Sequence, residues 1–313
     1  MELIRGLHNV RPKHRNGVIT IGTFDGIHHG HQMLLSHLSA KTQELNCTSM
    51  LVTFEPQPRE YFRGSIVPAR LTRFREKIAI LREFDLDYVL CIPFNETTSS
   101  TSADAVINEF LVRILGVKYL VVGDDFRFGR NAEGDYTMLQ TAGDRLGFGV
   151  THLGTMVFDH ERVSSTRIRD ALRDGDFQLA EKLLGRKYFM MGTVVVGQRM
   201  GRRLGTPTAN IRLQRYRSAL EGIFAVTVSG LDRTYEGSAY VGTRPTVDGT
   251  EPLLEVHLFE FDQDIYGKLI TVTFHHKFRD DVRFDGLDAL RIQISKDLEM
   301  TRDWFTKHRA EIS

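Results

Sequence analysis

The chain has 313 residues, with 41 Lys and Arg against 40 Asp and Glu and a formal charge of +1. That length provides for two ordinary domains with a sizeable core in each, and the near-neutral charge argues against a dedicated nucleic-acid binder or an acidic tail. Cys47 and Cys91 are its two cysteines, no apolar run reaches bilayer length, and residues 1–6 lack the apolar stretch of a secretory signal, so a soluble protein of the reducing cytoplasm is expected, with no membrane contact and no disulfide framework.

The first half alternates apolar, β-branched runs with helix-patterned stretches. Strands are predicted at Val18–Gly22, Met50–Phe54, Tyr88–Ile92, Tyr119–Gly123 and Val150–Leu153. Helical patterns lie between them, near Gly30–Glu44, Thr72–Phe84, Ser102–Leu115 and Gly134–Leu146. Continuous apolar strands alternating with helices predict a Rossmann-like α/β domain, its parallel sheet covered on both faces. In such sheets ligands bind beyond the carboxyl ends of the strands. The segment Glu55–Leu71, with Pro56, Pro58 and Pro68, reads either as a loop over that edge or as an ordinary surface excursion.

Two short helical patterns follow Ser164 and end near Leu184-Gly185, where the pattern changes. Strand-like runs at Gly192–Val196, Gly222–Ser229, Tyr235–Val241, Leu253–Phe261 and Leu269–Phe278 follow without helices between them. They predict an antiparallel barrel or sandwich. An amphipathic helix over Leu287–Lys307 closes the pattern, and the domain boundary is placed near Gly185, giving domains 1–185 and 186–313.

The first predicted strand runs directly into Thr23-Phe24-Asp25-Gly26-Ile27-His28-His29-Gly30-His31. A helix starting there presents unpaired N–H groups and a partial positive charge. Gly30 has no Cβ to keep a phosphate from the backbone. His28 and His31 share one helical face, where both imidazoles can donate to the same phosphate oxygens and stabilise developing charge. Thr23, Phe24 and Gly30 are candidate nucleotide contacts. The alternatives are solvent-facing histidines on a capped helix, favoured for a lone histidine but not for a pair flanking a glycine, and a metal site, for which the spacing lacks the zinc-protease pattern. Further on, Ser164, Ser165 and Thr166 suit a helix N-cap or a phosphate, and Arg169, one turn in, suits phosphate oxygens or plain solvent.

In the second half, Gly197, Gly201 and Gly205 in close order suggest a flexible loop that approaches a nucleotide, with Pro207 limiting local freedom. There is no Walker A pattern. Thr208 and Asn210 are two apart, so on an extended backbone their oxygens face one way and can hold a hard cation such as Mg²⁺. Read without context, a turn rich in small residues fits this run as well.

Several of these segments resemble known families. His28-x-Gly30-His31 looks like the His-x-Gly-His motif of nucleotidyltransferases that attack the α-phosphate of ATP. The wider string Gly22–His31, the run Phe54-Glu-Pro-Gln-Pro58, the stretch Gly123-Asp-Asp-Phe-Arg-Phe-Gly129 and Val163-Ser-Ser-Thr-Arg-Ile-Arg169 are similar to bacterial FAD synthetases. Asp125 stands where many members of that family have Asn, and an ionised aspartate accepts hydrogen bonds but cannot donate them. Gly201-Arg-Arg-Leu-Gly-Thr-Pro-Thr-Ala-Asn210 resembles the riboflavin kinase motif, with Thr206 where Phe is usual, and Leu254–Phe259 resembles the strand that carries the kinase's catalytic glutamate.

The resemblance covers nearly the whole chain and implies a bifunctional enzyme whose second domain is an antiparallel β-barrel with a terminal helix. Riboflavin and ATP give FMN, then FMN and ATP give FAD and pyrophosphate, with Mg²⁺ as the metal and no nucleic-acid partner. It implies Glu255 as the kinase base, His28 and His31 as the adenylyl-transfer groups, Asp125, Ser164, Ser165, Thr166 and Arg169 at the nucleotide, and Thr208 and Asn210 at the metal. Arg279 and Arg283 are weaker candidates for flavin or nucleotide contact, since charged turns are common on surfaces. No sequence feature addresses oligomeric state.

Overall fold

The computed structural model describes residues 1–64, 66–197, 206–246 and 249–312. They form two compact units, Met1–Val67 with Lys77–Ser164, and Pro68–Glu76 with Ser165–Ser313.

The first unit is built on a six-stranded parallel sheet. Its strands are β1 (Glu2–Arg5), β2 (Val18–Ile21), β3 (Ser49–Glu55), β4 (Tyr88–Pro93), β5 (Tyr119–Gly123) and β6 (Gly149–Leu153), in the order β1-β4-β3-β2-β5-β6. The central strands are apolar on both faces because both faces are covered: Val18, Ile19, Leu51, Val52, Val89, Leu90, Leu120 and Val121 are at most 1 % exposed. The helices of this half of the sequence are α1 (His29–Glu44), α2 (Pro58–Arg63), α3 (Phe74–Leu81), α4 (Glu96–Ser100), α5 (Ala103–Ala105) and α6 (Tyr136–Leu146). A two-strand hairpin, β7 (Val157–Phe158) with β8 (Glu161–Arg162), completes the unit.

Some local features differ from the sequence expectation. Strand β1 was not predicted, since four residues with one buried side chain carry almost no periodic signal; pairing with β4 makes it a strand. The Glu55–Leu71 segment is not simply a loop, because it contains α2. Pro58 occupies the first turn, where a missing N–H costs nothing, and the Glu60 carboxylate accepts the Gln57 backbone N–H at 3.0 Å. The helix predicted over Ser102–Leu115 begins as α5 but widens to a π-helix over Val106–Ile114, while still burying Ile107 and Leu111.

In the second unit α7 (Ser165–Asp174) and α8 (Phe177–Leu184) precede the barrel. Its strands are β9 (Phe189–Val195), β10 (Ala209–Arg212), β11 (Gly222–Ser229), β12 (Tyr235–Thr246), β13 (Gly249–Leu258) and β14 (Leu269–Arg279), all antiparallel to their neighbours. The ring β10-β13-β12-β11-β14-β9 is closed, which decides barrel over sandwich. Period-two alternation fills the interior with Phe224, Val226, Ala239, Leu254 and Val256. Gly222, at φ +119°, lies against the Arg279 carbonyl so closely that a Cβ would sit 2.1 Å from it. The terminal helix α9 (Leu287–Ile312) packs on the outside, with Phe305 against Ala225 and Phe259 and the Thr301 hydroxyl 3.2 Å from that of Ser238.

Several bonds join the segment Pro68–Glu76 to this unit, a buried ion pair among them. Arg215 Nη2 lies 2.7 and 2.9 Å from the two Glu76 oxygens, and both side chains are 1 % exposed. The same carboxylate accepts the Met191 N–H at 2.8 Å and the Arg73 N–H at 2.6 Å. Removing one partner of such a pair strands the other charge, so Arg215→Met should cost about 3–5 kcal/mol. Trp304, the sole tryptophan, lies in this unit, and its fluorescence during urea unfolding reads the loss; an unchanged midpoint would refute it.

Acid should weaken the same unit. His275 is packed beside Trp304 and Phe305, with Nε2 2.9 Å from the Thr227 hydroxyl, and burial, helped by the Lys187 charge, pushes its pKa down to about 4. The unfolded chain takes up that proton near pH 6.5, so stability is present above this pH and is lost as pH falls from about 6.5 toward about 4, by at most roughly 3 kcal/mol. His275→Gln should flatten the dependence of the Trp304 unfolding midpoint across that window; an equally steep dependence in the variant would exclude His275 as its main source.

Candidate functional site

In the first unit the strand order reverses between β2 and β5. The chain leaves β2 toward β3 and β4 on one side, whereas β5 and β6 build the other. A crevice opens at such a point beyond the carboxyl ends of the strands. Thr23–His28 and Gly123–Asp125 are the residues that emerge there.

The turn after β2 is strained. Phe24 (φ +47°), Gly26 (φ +86°) and Ile27 (φ +43°) all take left-handed backbone angles, which cost a non-glycine residue about 1–3 kcal/mol each. Burial offsets that cost, for Phe24 is 2 % and Ile27 0 % exposed, and a fully buried side chain of this size contributes about 1.5–3 kcal/mol. The turn delivers His28 as N-cap of α1, extended at φ −73° and buried. The His28 and His31 rings stack at 3.8 Å with 18° between planes, and Phe24 lies 4.9 Å from His31. A Cβ on Gly30 would stand 3.2 Å from the His28 ring, so glycine is what lets that ring lie against the helix start. The result is two imidazoles beside the N–H-bearing end of a 16-residue helix, an arrangement made for an anion.

Asp125 accepts from Arg162 Nη2 at 2.6 Å. Neighbouring Asp124 accepts from the Thr155 hydroxyl, and that bond, with the Arg162 charge, holds its carboxyl below the usual range. Arg162 was not singled out from sequence, because one arginine in a polar hairpin has no periodicity. Lys77 was missed for the same reason. It sits in an amphipathic helical pattern where lysines face solvent, yet it is wholly buried, with Nζ 2.5 Å from the Thr23 carbonyl and 3.2 Å from the Thr53 hydroxyl. Tyr61 and Phe62 of α2, 41 % and 67 % exposed, stand edge-on to Phe94 at 5.5 and 5.7 Å, an exposed aromatic cluster just beyond β4.

Ser164 ends the first unit. Ser165 and Thr166 form the first turn of α7 in the second unit, with Arg169 one turn further in, its Nε donating to the Ala69 carbonyl.

In the barrel, β10 lies between β9 and β13, and Asn210 is the direct cross-strand partner of Glu255. Paired residues share a face. Ile211 and Leu254 point inward and are buried, so Asn210 and Glu255 point outward, as does His257, whose Nδ1 lies 2.8 Å from the Pro207 carbonyl. Burial lowers the His257 pKa, against the opposing effect of that carbonyl. Gly197 touches the Asn210 amide, and a Cβ there would come within 2.4 Å of it. Gly197, Pro207, Thr208 and Asn210 line one wall of a cavity of about 470 Å³, and the turn Phe261–Tyr266 lines another. Next along the row, Tyr240 pairs with Glu255 and donates its hydroxyl to Asp281 at 2.9 Å. Burial, then Asp281, raises the Tyr240 pKa strongly, so the phenol stays neutral. Gly201 and Gly205 lie outside the described residues.

Arg279 is engaged within the fold. Its Nε and Nη2 lie 3.0 and 2.6 Å from the Asp297 carboxylate, which ties β14 to α9. Arg283 lies in the exposed turn before α9. Among the described residues no cluster of three His, Cys, Asp or Glu side chains suits a metal, and no helix is long and apolar enough to cross a membrane.

Residues 10–167 match the FAD synthetase family model and residues 184–305 the riboflavin kinase model. The bifunctional riboflavin kinase/FMN adenylyltransferase of Haemophilus influenzae is 46 % identical over 308 residues, covering 97 % of this chain and 99 % of that one. Its counterpart in Escherichia coli K12 is 45 % identical over 307 residues, covering 97 % and 98 %. A solved structure from Streptococcus pneumoniae, described as a macrolide-efflux protein, superposes with a TM-score of 0.79 at 29 % identity, covering 97 % of this chain and 100 % of that one. Two family models in series and full-length relatives of this kind place the chain in the bifunctional riboflavin kinase/FMN adenylyltransferase family.

Proposed function

We propose that the family's two reactions are divided between the halves of the chain, with residues 1–185 converting FMN and ATP to FAD and pyrophosphate, and residues 186–313 phosphorylating riboflavin with ATP. The observation that carries the residue assignment is the outward-facing pair Asn210 and Glu255, side by side on β10 and β13, with Asn210 on the wall of the cavity.

In the kinase half, Glu255 accepts the proton of the riboflavin 5′-hydroxyl as that oxygen attacks the γ-phosphorus and ADP leaves. Gly197 and Pro207, on the cavity wall, border the nucleotide, and the same role is assigned to Gly205, outside the described residues. The donors at Thr208 and Asn210 suit a hard cation: neutral oxygens two residues apart, on one cavity wall. These two residues would hold Mg²⁺, which when bound neutralises charge on the transferring phosphoryl group. Arg279 and Arg283 remain weaker flavin candidates, and the engagement of Arg279 with Asp297 favours a positioning role for it.

In the adenylylating half no protein nucleophile is required. The FMN phosphate attacks the α-phosphorus, and His28 and His31 donate to its oxygens as pyrophosphate departs. Thr23, Phe24 and Gly30 form the floor of that site. Asp125, held by Arg162, is assigned to the nucleotide, as are Ser164, Ser165, Thr166 and Arg169. The exposed Tyr61 and Phe62 offer a stacking surface for the planar flavin. The free thiols of Cys47 and Cys91 suit a cytoplasmic setting.

Separating flavins over time in the presence of ATP and Mg²⁺ tests the division. Glu255→Gln should lower FMN formation by roughly 10²–10⁴-fold while added FMN still becomes FAD. His31→Ala should do the reverse, stopping riboflavin at FMN with FAD formation down by about 10²-fold or more. Unchanged FMN formation in Glu255→Gln would remove the base assignment. Thr208→Ala should raise the Mg²⁺ concentration needed for half-maximal phosphorylation, and an unaltered Mg²⁺ dependence would move the metal elsewhere.

A further inference from the structure

We propose that Lys77 is a positioning residue for adenylyl transfer: its buried ammonium clamps the carbonyl of Thr23 and so fixes the strained turn that presents His28 and His31. The proposal rests on the assignment of those histidines to the FMN-to-FAD step.

Lys77 is 0 % exposed, an unusual place for a lysine, which is almost never fully buried without partners. It lies on α3, far in sequence from the turn it holds. Its Nζ is 2.5 Å from the Thr23 carbonyl and 3.2 Å from Oγ1 of Thr53, itself 0 % exposed. Thr23 is the first residue after the β2–Gly22 run, and the residues that follow it take left-handed angles at Phe24, Gly26 and Ile27 before His28 caps α1. A turn with two non-glycine residues in that region relaxes unless its surroundings over-determine it. Hydrophobic burial of Phe24 and Ile27 fixes the middle of the turn, but it is not directional. The charge-assisted bond from Lys77 fixes the direction of the Thr23 carbonyl, and hence the plane from which the turn departs. Thr53, on the neighbouring strand β3, gives the ammonium its second point of attachment and ties the turn to the sheet. Since a displacement of about 1 Å at a reacting group can cost about 10²-fold in rate, the clamp acts on the rate of transfer while touching no substrate.

The test uses the full-length enzyme and compares steady-state FMN-to-FAD kinetics with riboflavin phosphorylation in the same preparations of wild type, K77M, K77Q, T53V and H31A. K77M matches the lysine in shape and removes the donor. It is expected to lower kcat for FAD formation at least tenfold, with KM for FMN within about threefold and phosphorylation within about twofold of wild type. K77Q, which keeps an N–H donor, should recover part of that loss. T53V removes the second acceptor but leaves the Thr23 carbonyl held, and should stay within about threefold of wild type.

The proposal is overturned if K77M retains kcat within twofold, if its effect is confined to KM, or if T53V loses as much as K77M, which would mark the cluster as a plain contributor to stability. If K77M does not fold, as lost phosphorylation and aggregation would show, K77Q against T53V decides: a lower kcat in K77Q supports the clamp, and equal values overturn it. H31A reports separately. FAD synthesis surviving in H31A would remove the histidine assignment on which the proposal rests, whatever the lysine variants show.

Discussion

Closure of the barrel depends on a strand of four residues. Without β10, β9 and β13 would each present an open edge of unpaired N–H and C=O groups, a liability in any sheet. Ala209–Arg212 pairs with both and removes the edges. The same pairing fixes register, and register in a sheet is all or nothing, because a slip of one residue turns every side chain to the opposite face. Asn210 stands opposite Glu255 only in this register, and Thr208 reaches the cavity wall only because the strand begins one residue after it. The strand that completes the fold is therefore also the strand that assembles the candidate phosphoryl-transfer residues.

The two candidate sites use one physical strategy with different parts. Neither reaction needs a covalent intermediate on the protein, so each site must hold its reactants and supply fixed charge or dipoles where negative charge develops. In the assignment proposed above, the first unit would do this with a helix end and two imidazoles, reached through a turn whose strain is offset by burying Phe24 and Ile27. The second would do it on the outside of a barrel, where the apolar interior gives rigidity and the alternate residues point outward. Pre-organisation is paid for in both places by neighbouring packing rather than by the reacting groups.

Buried charge recurs in the structure with defined partners. Glu76 and Lys77 are adjacent in sequence and both buried, and each has partners within its own unit: Glu76 bonds Arg215 and the N–H groups of Arg73 and Met191, and Lys77 bonds Thr23 and Thr53. Neither is stabilising by virtue of being buried, since the desolvation of an ion opposes its pairing. What such residues confer is direction. An apolar contact tolerates sliding, whereas a bidentate carboxylate or a clamped carbonyl does not.

Much of this protein was legible in the sequence. Apolar runs long enough to be buried on both faces, spaced by helical patterns, specify a covered parallel sheet. Alternating runs without helices specify an antiparallel one. Gly30 between His28 and His31, and Thr208 beside Asn210, mark the candidate sites through chemistry that depends only on spacing along a helix or a strand. Local signals failed where structure comes from distant partners. Four-residue strands β1 and β10 have too few side chains to show a period, and they exist because an open edge accepted them. Alternation by itself left barrel and sandwich equivalent, because it is the same in both and only pairing around the ring separates them; the barrel was expected from the family resemblance, and the closed ring bears it out. Glu76 and Lys77 were not singled out within the helical pattern near Thr72–Phe84, because burial of a charge is decided by what lies across from it. Spacing along the chain thus determined which residues share a face, while tertiary structure alone decided what that face meets, since the hydrogen bonds and ion pairs that settle the matter join residues far apart in sequence.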